Sequence, residues 1–379
     1  MTRAVVLGGG MVGATIAADL ASDPSFQVTV VEARPARLQQ LAATGLVTRQ
    51  ADLSDPATVR AVAADFDLVV GALPSVFGLQ TLRAVIEAGR NYVDISFMPD
   101  DPLPLGELAV QRGVIAVVDC GVAPGVSNMM AGRAAAELDP CERIDMCVGG
   151  LPVVRQWPFE YKAGFAPSDV LEEYTRPARL VEHGKLVVRE ALSEPELLEL
   201  PGVGTVEAFN TDGLRSLIFT LKVPTMRERT LRWPGHIELM RVFRDLGLFS
   251  KEPIEVKGVR VVPLEITSAL LFPKWTFGEG EADLTVMRVE AHGRKDGHPT
   301  TMRWDLFDQY DPATGTRSMS RSTAFPATLV ARMIAGGRFP LGPGVHPPEI
   351  PAQQPGFLDE VLAGLRQRGV HIEYDETHA

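Results

Sequence analysis

Cysteine is scarce in this chain. Cys120, Cys141 and Cys147 are the three in 379 residues, with no CxxC pair and no Cys/His cluster. That excludes a disulfide framework and a thiolate zinc site, and it suits a reducing compartment, so a cytoplasmic protein without a metal is expected. Basic charge is also short, with 37 Lys and Arg against 48 Asp and Glu, a net charge of −11. An acidic surface attracts neither nucleic acid nor an anionic membrane. No apolar run approaches the roughly 20 residues that span a bilayer. The opening MTRAVVLGGG has too short an apolar stretch for a signal peptide and reads as a first strand. Internal repeats and low-complexity tracts are missing too. What remains is a soluble globular chain, too long for the usual single domain, whose 45% hydrophobic content is enough for two cores.

The first 120 residues alternate strand and helix. Strand-like runs fall at Ala4–Leu7, Val28–Glu32, Leu46–Gln50, Leu68–Gly71, Tyr92–Ile95 and Val114–Asp119. Between them apolar residues recur at helical spacing, as in Val12, Ile16, Ala17 and Leu20. Ser54-Asp55-Pro56 is a helix start. Short apolar strands between helices predict an α/β fold, a Rossmann-type doubly wound parallel sheet. From about Arg143 longer strands form hairpin candidates, 178–182 with 185–190 and 284–292 with 300–310. Helical runs are read at 212–221, 235–246 and 264–271, and Glu194–Glu199 as an exposed helical face. A second, α+β domain is expected over 126–320, after a dinucleotide domain over 1–125. In the tail, 321–379, helices at 322–335 and 357–368 flank a Pro- and Gly-rich connector at 340–355.

The chemistry is clearest in Gly8-Gly9-Gly10-Met11-Val12-Gly13. This loop leaves a strand and opens a helix, the context in which a glycine motif binds a dinucleotide. Gly8 permits the tight turn, Gly10 admits the pyrophosphate and Gly13 lets helix and strand pack closely. The start of the helix at Met11 and Val12 presents N–H groups and a positive dipole end to the phosphates. Glu32 ends the second strand, where a carboxylate binds the ribose hydroxyls and repels a 2′-phosphate. NAD is therefore expected over NADP, although Arg34 nearby could meet such a phosphate. Asp52-Leu53 would flank adenine or begin the next helix, and Ala72-Leu73-Pro74 lie at the carboxyl edge of the sheet, where the nicotinamide half belongs.

Three segments carry a resemblance: Val118–Asn128 (VDCGVAPGVSN), Ala208–Arg215 (AFNTDGLR) and Thr230–His236 (TLRWPGH). In them the chain resembles the saccharopine dehydrogenase-like family, and within it the L-lysine 6-dehydrogenases. Saccharopine reductases usually carry an aspartate in a GLDPG motif, where this chain has Ala123, and their PNRDS segment is here Phe209–Gly213. The resemblance therefore implies a smaller amino-acid substrate: L-lysine, oxidised at its ε-amine by NAD with release of ammonia. It also implies a homodimer or higher homo-oligomer, with the tail returning to the nucleotide domain. A saccharopine or carboxynorspermidine dehydrogenase-type reductase is the alternative within the family. A catalytically silent dinucleotide-binding regulator is the alternative of another class.

Hydride cannot leave a carbon that bears an ammonium group. Neutralising an amine of pKa about 10.4 at pH 7 costs about 4.6 kcal/mol, so the site needs a base or desolvation. Asp94 and Asp119, ending the fifth and sixth strands, are candidate bases or helix caps. Cys120 beside them is a candidate catalytic group or a small packing residue. Asp212 is a candidate ammonium anchor or a cap. Arg215 and Arg232 are candidates to grip a carboxylate by paired hydrogen bonds. His236, at a helix start, would relay protons or serve structure.

Overall fold

Strands of three to seven residues alternate with helices at the start of the chain in the computed structural model, which describes residues 1–378. The order is β1 (Thr2–Leu7), α1 (Met11–Ala21), β2 (Phe26–Glu32), α2 (Pro35–Ala43), β3 (Val47–Gln50), α3 (Pro56–Ala64), β4 (Leu68–Gly71), α4 (Gly78–Glu87), β5 (Asn91–Asp94), α5 (Gly106–Arg112), β6 (Ile115–Val117) and α6 (Val126–Glu137). Asp55 caps α3, accepting from the Ala57 and Thr58 N–H groups with Pro56 in the first turn. Such a cap contributes about 1 kcal/mol. The sheet runs β6-β5-β4-β1-β2-β3, all parallel. A seventh strand, Gly344–His346, adds parallel to β6. The order reverses between β1 and β4, which places the crevice at the carboxyl ends of those two strands. Burial on both faces explains the unbroken apolar strands, with Val5, Val69, Val93 and Val117 fully enclosed.

The chain divides into two compact units. The first comprises Met1–Asp139, Phe219–Leu221 and Ser320–Ile372, and the second Pro140–Ile218, Lys222–Met319 and Glu373–Ala379. The division thus falls after α6, not after Gly125, because α6 packs within the first unit, with Gly132 against the Glu349 backbone. The tail helices clasp α1 in this unit. Arg332 and Arg368 both pair with Asp19, at 2.6 and 2.7 Å. The connector at 340–355 is not merely extended. It supplies the seventh strand and a short helix, Glu349–Ala352, because Val345 can be buried beside β6.

The second unit is a mixed sheet. Its strands are β7 (Cys141–Pro152), β8 (Ala178–Glu182), β9 (Lys185–Arg189), β10 (Glu196–Leu200), β11 (Gly204–Asn210), β12 (Thr225–Arg232), a separate hairpin β13 (Ile254–Val256) and β14 (Val259–Val261), β15 (Asp283–Lys295) and β16 (His298–Gln309). The order is β10-β11-β12-β7-β15-β16, closed by Ile372–His378, with β8 and β9 branching from β12. Both expected hairpins form. Their turns, His183-Gly184 and Asp296-Gly297, hold positive φ at both residues, as tight hairpin turns require. Two readings from the sequence change here. Residues 196–200 form β10 rather than a helical face, since Leu200 is drawn into the core. The run 212–221 is helical only at Leu217–Thr220. Asp212 is tied to Arg179, and Arg215 holds φ of 54°, which no right-handed helix accommodates.

Candidate functional site

Gly8, between β1 and α1, has φ of 100°, and a Cβ there would lie 2.5 Å from the Ala72 carbonyl oxygen. At Gly13 a Cβ would meet the Gly8 oxygen at 2.0 Å, so the helix rests directly on the loop. Above Gly10 the space is open, and no side chain caps the first turn of α1. Val12 is buried, whereas Met11 stays exposed at the helix start. A loop that brings backbone N–H groups to an open crevice fits the pyrophosphate of a dinucleotide.

Glu32 sits at the end of β2 beside this loop, 7% exposed. Its carboxylate accepts the Gly9 N–H at 3.2 Å, the Arg34 N–H at 3.1 Å and the Arg34 guanidinium at 2.9 and 3.1 Å. Burial pushes its pKa up, but the Arg34 and Gly9 hydrogen bonds outweigh burial and hold it below the usual range. The carboxylate is therefore ionised where the ribose would lie. Arg37, which the sequence reading overlooked, donates to the Gly9 and Gly10 carbonyl oxygens at 2.6 and 3.3 Å. Asp52 is exposed and accepts the Ser54 N–H at 3.0 Å, a turn contact, while Leu53 is core. Ala72 and Leu73 are half-buried and Pro74 is exposed beyond β4.

On the β4–β5–β6 side, Asp94 is 1% exposed. It accepts hydrogen bonds from the Ser96 N–H at 3.2 Å, the Ser96 hydroxyl and the Tyr92 hydroxyl. Burial raises its pKa to about 7 against those bonds, and the Asp119 charge adds to the rise. Asp119 is buried, with φ of 50°, two residues beyond β6. Cys120 is fully buried, and burial with the two aspartate charges drives its thiol far above the usual range. It cannot be a thiolate nucleophile at neutral pH. Its place is packing, as is that of the other two cysteines, all buried and free.

The second unit brings together residues that are far apart in sequence. Arg232 is 2% exposed. Its guanidinium donates to the Tyr174 hydroxyl at 3.0 Å, the Leu231 carbonyl at 2.9 Å and the Glu173 carboxylate at 2.6 Å, and lies 4.5 Å from the Tyr161 ring centroid. Arg232 thus has internal partners in place of the substrate carboxylate expected for it. A buried charge of this kind is stable only when paired and hydrogen-bonded. His236 is likewise internal. Its Nδ1 donates to the Phe159 carbonyl at 2.7 Å, so Nε2 accepts the Tyr174 hydroxyl at 2.9 Å. Burial, helped by the Arg232 charge, lowers its pKa to about 3. A histidine that stays neutral with both nitrogens engaged holds structure and does not relay protons.

Asp212 also differs from expectation. It caps no helix and is paired with Arg179, at 2.7 and 2.9 Å. Arg215 is buried, in the left-handed backbone region. The residue that sequence reading missed is Glu228 on β12, 4% exposed. Its Oε2 accepts the Thr211 hydroxyl at 2.5 Å and the Gly213 N–H at 3.2 Å. Thr211 in turn is 2.9 Å from the Thr230 hydroxyl. Burial raises the Glu228 pKa to about 7, opposed by Thr211 and reinforced by the Glu173 charge. The signal was available: Glu228, Thr230 and Arg232 alternate, which puts them on one face of a strand. Among the described residues no group of three or more His, Cys, Asp or Glu could hold a metal ion, and no helix is long and apolar enough to cross a membrane.

Comparison with known proteins matches both parts of the chain to one family. A model of the saccharopine dehydrogenase NADP binding domain matches residues 4–117, and one of the saccharopine dehydrogenase C-terminal domain matches residues 121–370. Carboxyaminopropylagmatine dehydrogenase of Synechocystis is 23% identical over 370 residues, covering 89% of this chain and 90% of the relative. The NADP(+), L-glutamate-forming saccharopine dehydrogenase of Saccharomyces cerevisiae is 24% identical over 269 residues, 66% of this chain and 59% of the relative. The apo structure of the L-Glu-forming saccharopine dehydrogenase from Saccharomyces cerevisiae superimposes with a TM-score of 0.81 at 18% identity, covering all of both chains, and shows the shared fold.

Proposed function

The chain belongs to the saccharopine dehydrogenase family, and from that premise we propose that this oxidoreductase is an NAD-dependent amino-acid dehydrogenase that oxidises L-lysine at its ε-amine. A nicotinamide dinucleotide is the cofactor; when bound it accepts the hydride. The observation that carries the NAD reading is the ionised Glu32 carboxylate beside Gly9, which would accept the adenosine ribose hydroxyls and oppose a 2′-phosphate. The family model and the yeast relative carry NADP in their names. In that reading Arg34 and Arg37 would meet the phosphate.

With Glu32 fixing the adenosine half over β2, the other half must lie over β4 and β5, where Asp94 stands. Asp94 is the proposed proton acceptor. A carboxyl of pKa about 7 takes a proton from an amine more readily than one of ordinary acidity, and gives it up again at neutral pH. Its oxygens accept hydrogen bonds from Ser96 and Tyr92. Ala123, with no acidic neighbour in Gly121–Gly125, supports a substrate smaller than saccharopine. The relatives named carboxyaminopropylagmatine dehydrogenase and saccharopine dehydrogenase support a second reading, a saccharopine or carboxynorspermidine dehydrogenase-type reductase.

One assay separates them: reduction of NAD⁺ or NADP⁺ by each member of a panel of amino acids, saccharopine and diamines, with the reverse reaction followed from NADH or NADPH. The expected result is NADH from L-lysine, with little from saccharopine or cadaverine. Robust NADPH-dependent formation of a secondary amine, without lysine oxidation, would favour the second reading. Binding of the cofactor with no turnover of any panel member would revive the silent regulator.

A further inference from the structure

Three carboxyls on or beside the β12 face of the second unit bear on one another. Glu173 has Arg232 at 2.6 Å and Asp212 has Arg179 at 2.7 Å. Glu228 feels the charges of both, yet has no ion pair among the described residues. Its Oε2 is held by Thr211 and Gly213, whereas its Oε1 takes no hydrogen bond from any described residue. Nor is Oε1 among the sealed polar atoms that lack a partner, so it looks onto accessible space although the side chain is 4% exposed. Glu173 has one oxygen on Arg232.

The surroundings hold Glu228 in this pose. A Cβ on Gly213 would lie 2.3 Å from the Glu228 Cδ, so the carboxyl rests on the bare backbone of the 211–213 turn. Because Thr211 donates to Glu228, Thr230 must donate to Thr211, and the row of hydroxyls points its hydrogens at the carboxylate. Hydrogen bonds of this polarity favour the charged form. A buried carboxylate so arranged lacks only a cation.

We propose that Glu228 receives the ammonium group of the amino-acid substrate that is not oxidised, its α-ammonium. This rests on the amino-acid dehydrogenase reading above. The reacting amine must become neutral before hydride leaves, so a carboxyl beside it has to take its proton, as proposed for Asp94. The α-ammonium stays charged throughout, so a carboxylate serves it without cost to the chemistry. An ammonium bound at Glu228 also offsets the repulsion that the Glu173 charge exerts on it.

The test is calorimetric titration of the full chain saturated with NADH, so that nothing turns over. L-Lysine is compared with 6-aminohexanoate, which lacks the α-ammonium, at pH 7 in two buffers of different ionisation enthalpy. A Glu228 carboxyl half protonated at pH 7 should release about half a proton more with lysine than with 6-aminohexanoate. Glu228→Gln should weaken lysine roughly ten- to a hundredfold, as loss of a charge-assisted bond does, and leave 6-aminohexanoate unchanged. The wild-type proton count stands even if the variant fails to fold. Equal proton release for the two ligands, equal loss of both in the variant, or no binding of any α-amino acid would overturn the site. Lysine binding that behaves as described but gives no NADH with NAD⁺ would sink the dehydrogenase reading and leave the site standing.

Discussion

The two sheets treat polar groups in opposite ways. In the first unit the central strands are mostly apolar along their length, and the proposed dinucleotide site is mostly backbone: the Gly8–Gly13 loop, the N–H groups opening α1 and one carboxylate, Glu32. In the second unit β12 itself carries Glu228, Thr230 and Arg232 into the interior, each bound to side chains from other elements. A backbone site needs only space and the right turn, which local sequence controls. A side-chain site needs partners from several segments, and it loses more when one partner goes.

The sharpest break of that contrast is at the loop. Gly13→Val would force a side chain against the Gly8 oxygen, and dinucleotide binding measured by fluorescence should be abolished. Retained affinity would mean that the loop is not the cofactor site. Asp94→Asn comes next. It should lower kcat about 10²–10⁴-fold and remove the limb of the pH–rate profile near 7. The stability sign is also defined. Asp94 titrates near 3.8 when unfolded and about 7 when folded, so the native state holds its proton longer and loses stability as pH rises through that window. The asparagine variant should flatten this slope in denaturant titrations between pH 4 and 7. An unchanged slope would show that Asp94 keeps an ordinary pKa.

Arg232→Leu tests the second unit directly. Stranding Glu173 without its guanidinium should cost about 3–5 kcal/mol in chemical denaturation. A loss of substrate affinity with unaltered stability would instead return Arg232 to the role of a substrate ligand. The smallest effect is expected at Glu32→Ser. It removes ribose hydrogen bonds and repulsion together, and should narrow the NAD⁺ to NADP⁺ ratio of kcat/KM by about tenfold, as one charge-assisted bond allows. A wild-type preference for NADP⁺ would show that Arg34 and Arg37 dominate the ribose end.

Much of the first unit was legible because its signals are local. Gly8–Gly13 follows a strand and starts a helix, Glu32 ends the next strand, and Asp55-Pro56 announces α3. The seventh strand was missed because Gly344–His346 has no periodicity of its own and is a strand only by pairing with β6. Asp212, Arg232 and His236 were recognised as unusual from their motifs, but their partners Arg179, Glu173 and Tyr174 lie 33, 59 and 62 residues away. Nothing in a motif says whether a charge faces a substrate or another side chain.

By itself, then, the sequence determined the α/β class, the use of a nicotinamide dinucleotide and the family, because each is signalled by residues within a turn or two of one another. Only the tertiary structure decided which charges are paired internally and which, as with Asp94 and Glu228 among the described residues, are buried without an ion pair. The reason is physical. Charge pairing inside a protein depends on distances and desolvation, and both are set when remote strands and helices close over the same few side chains.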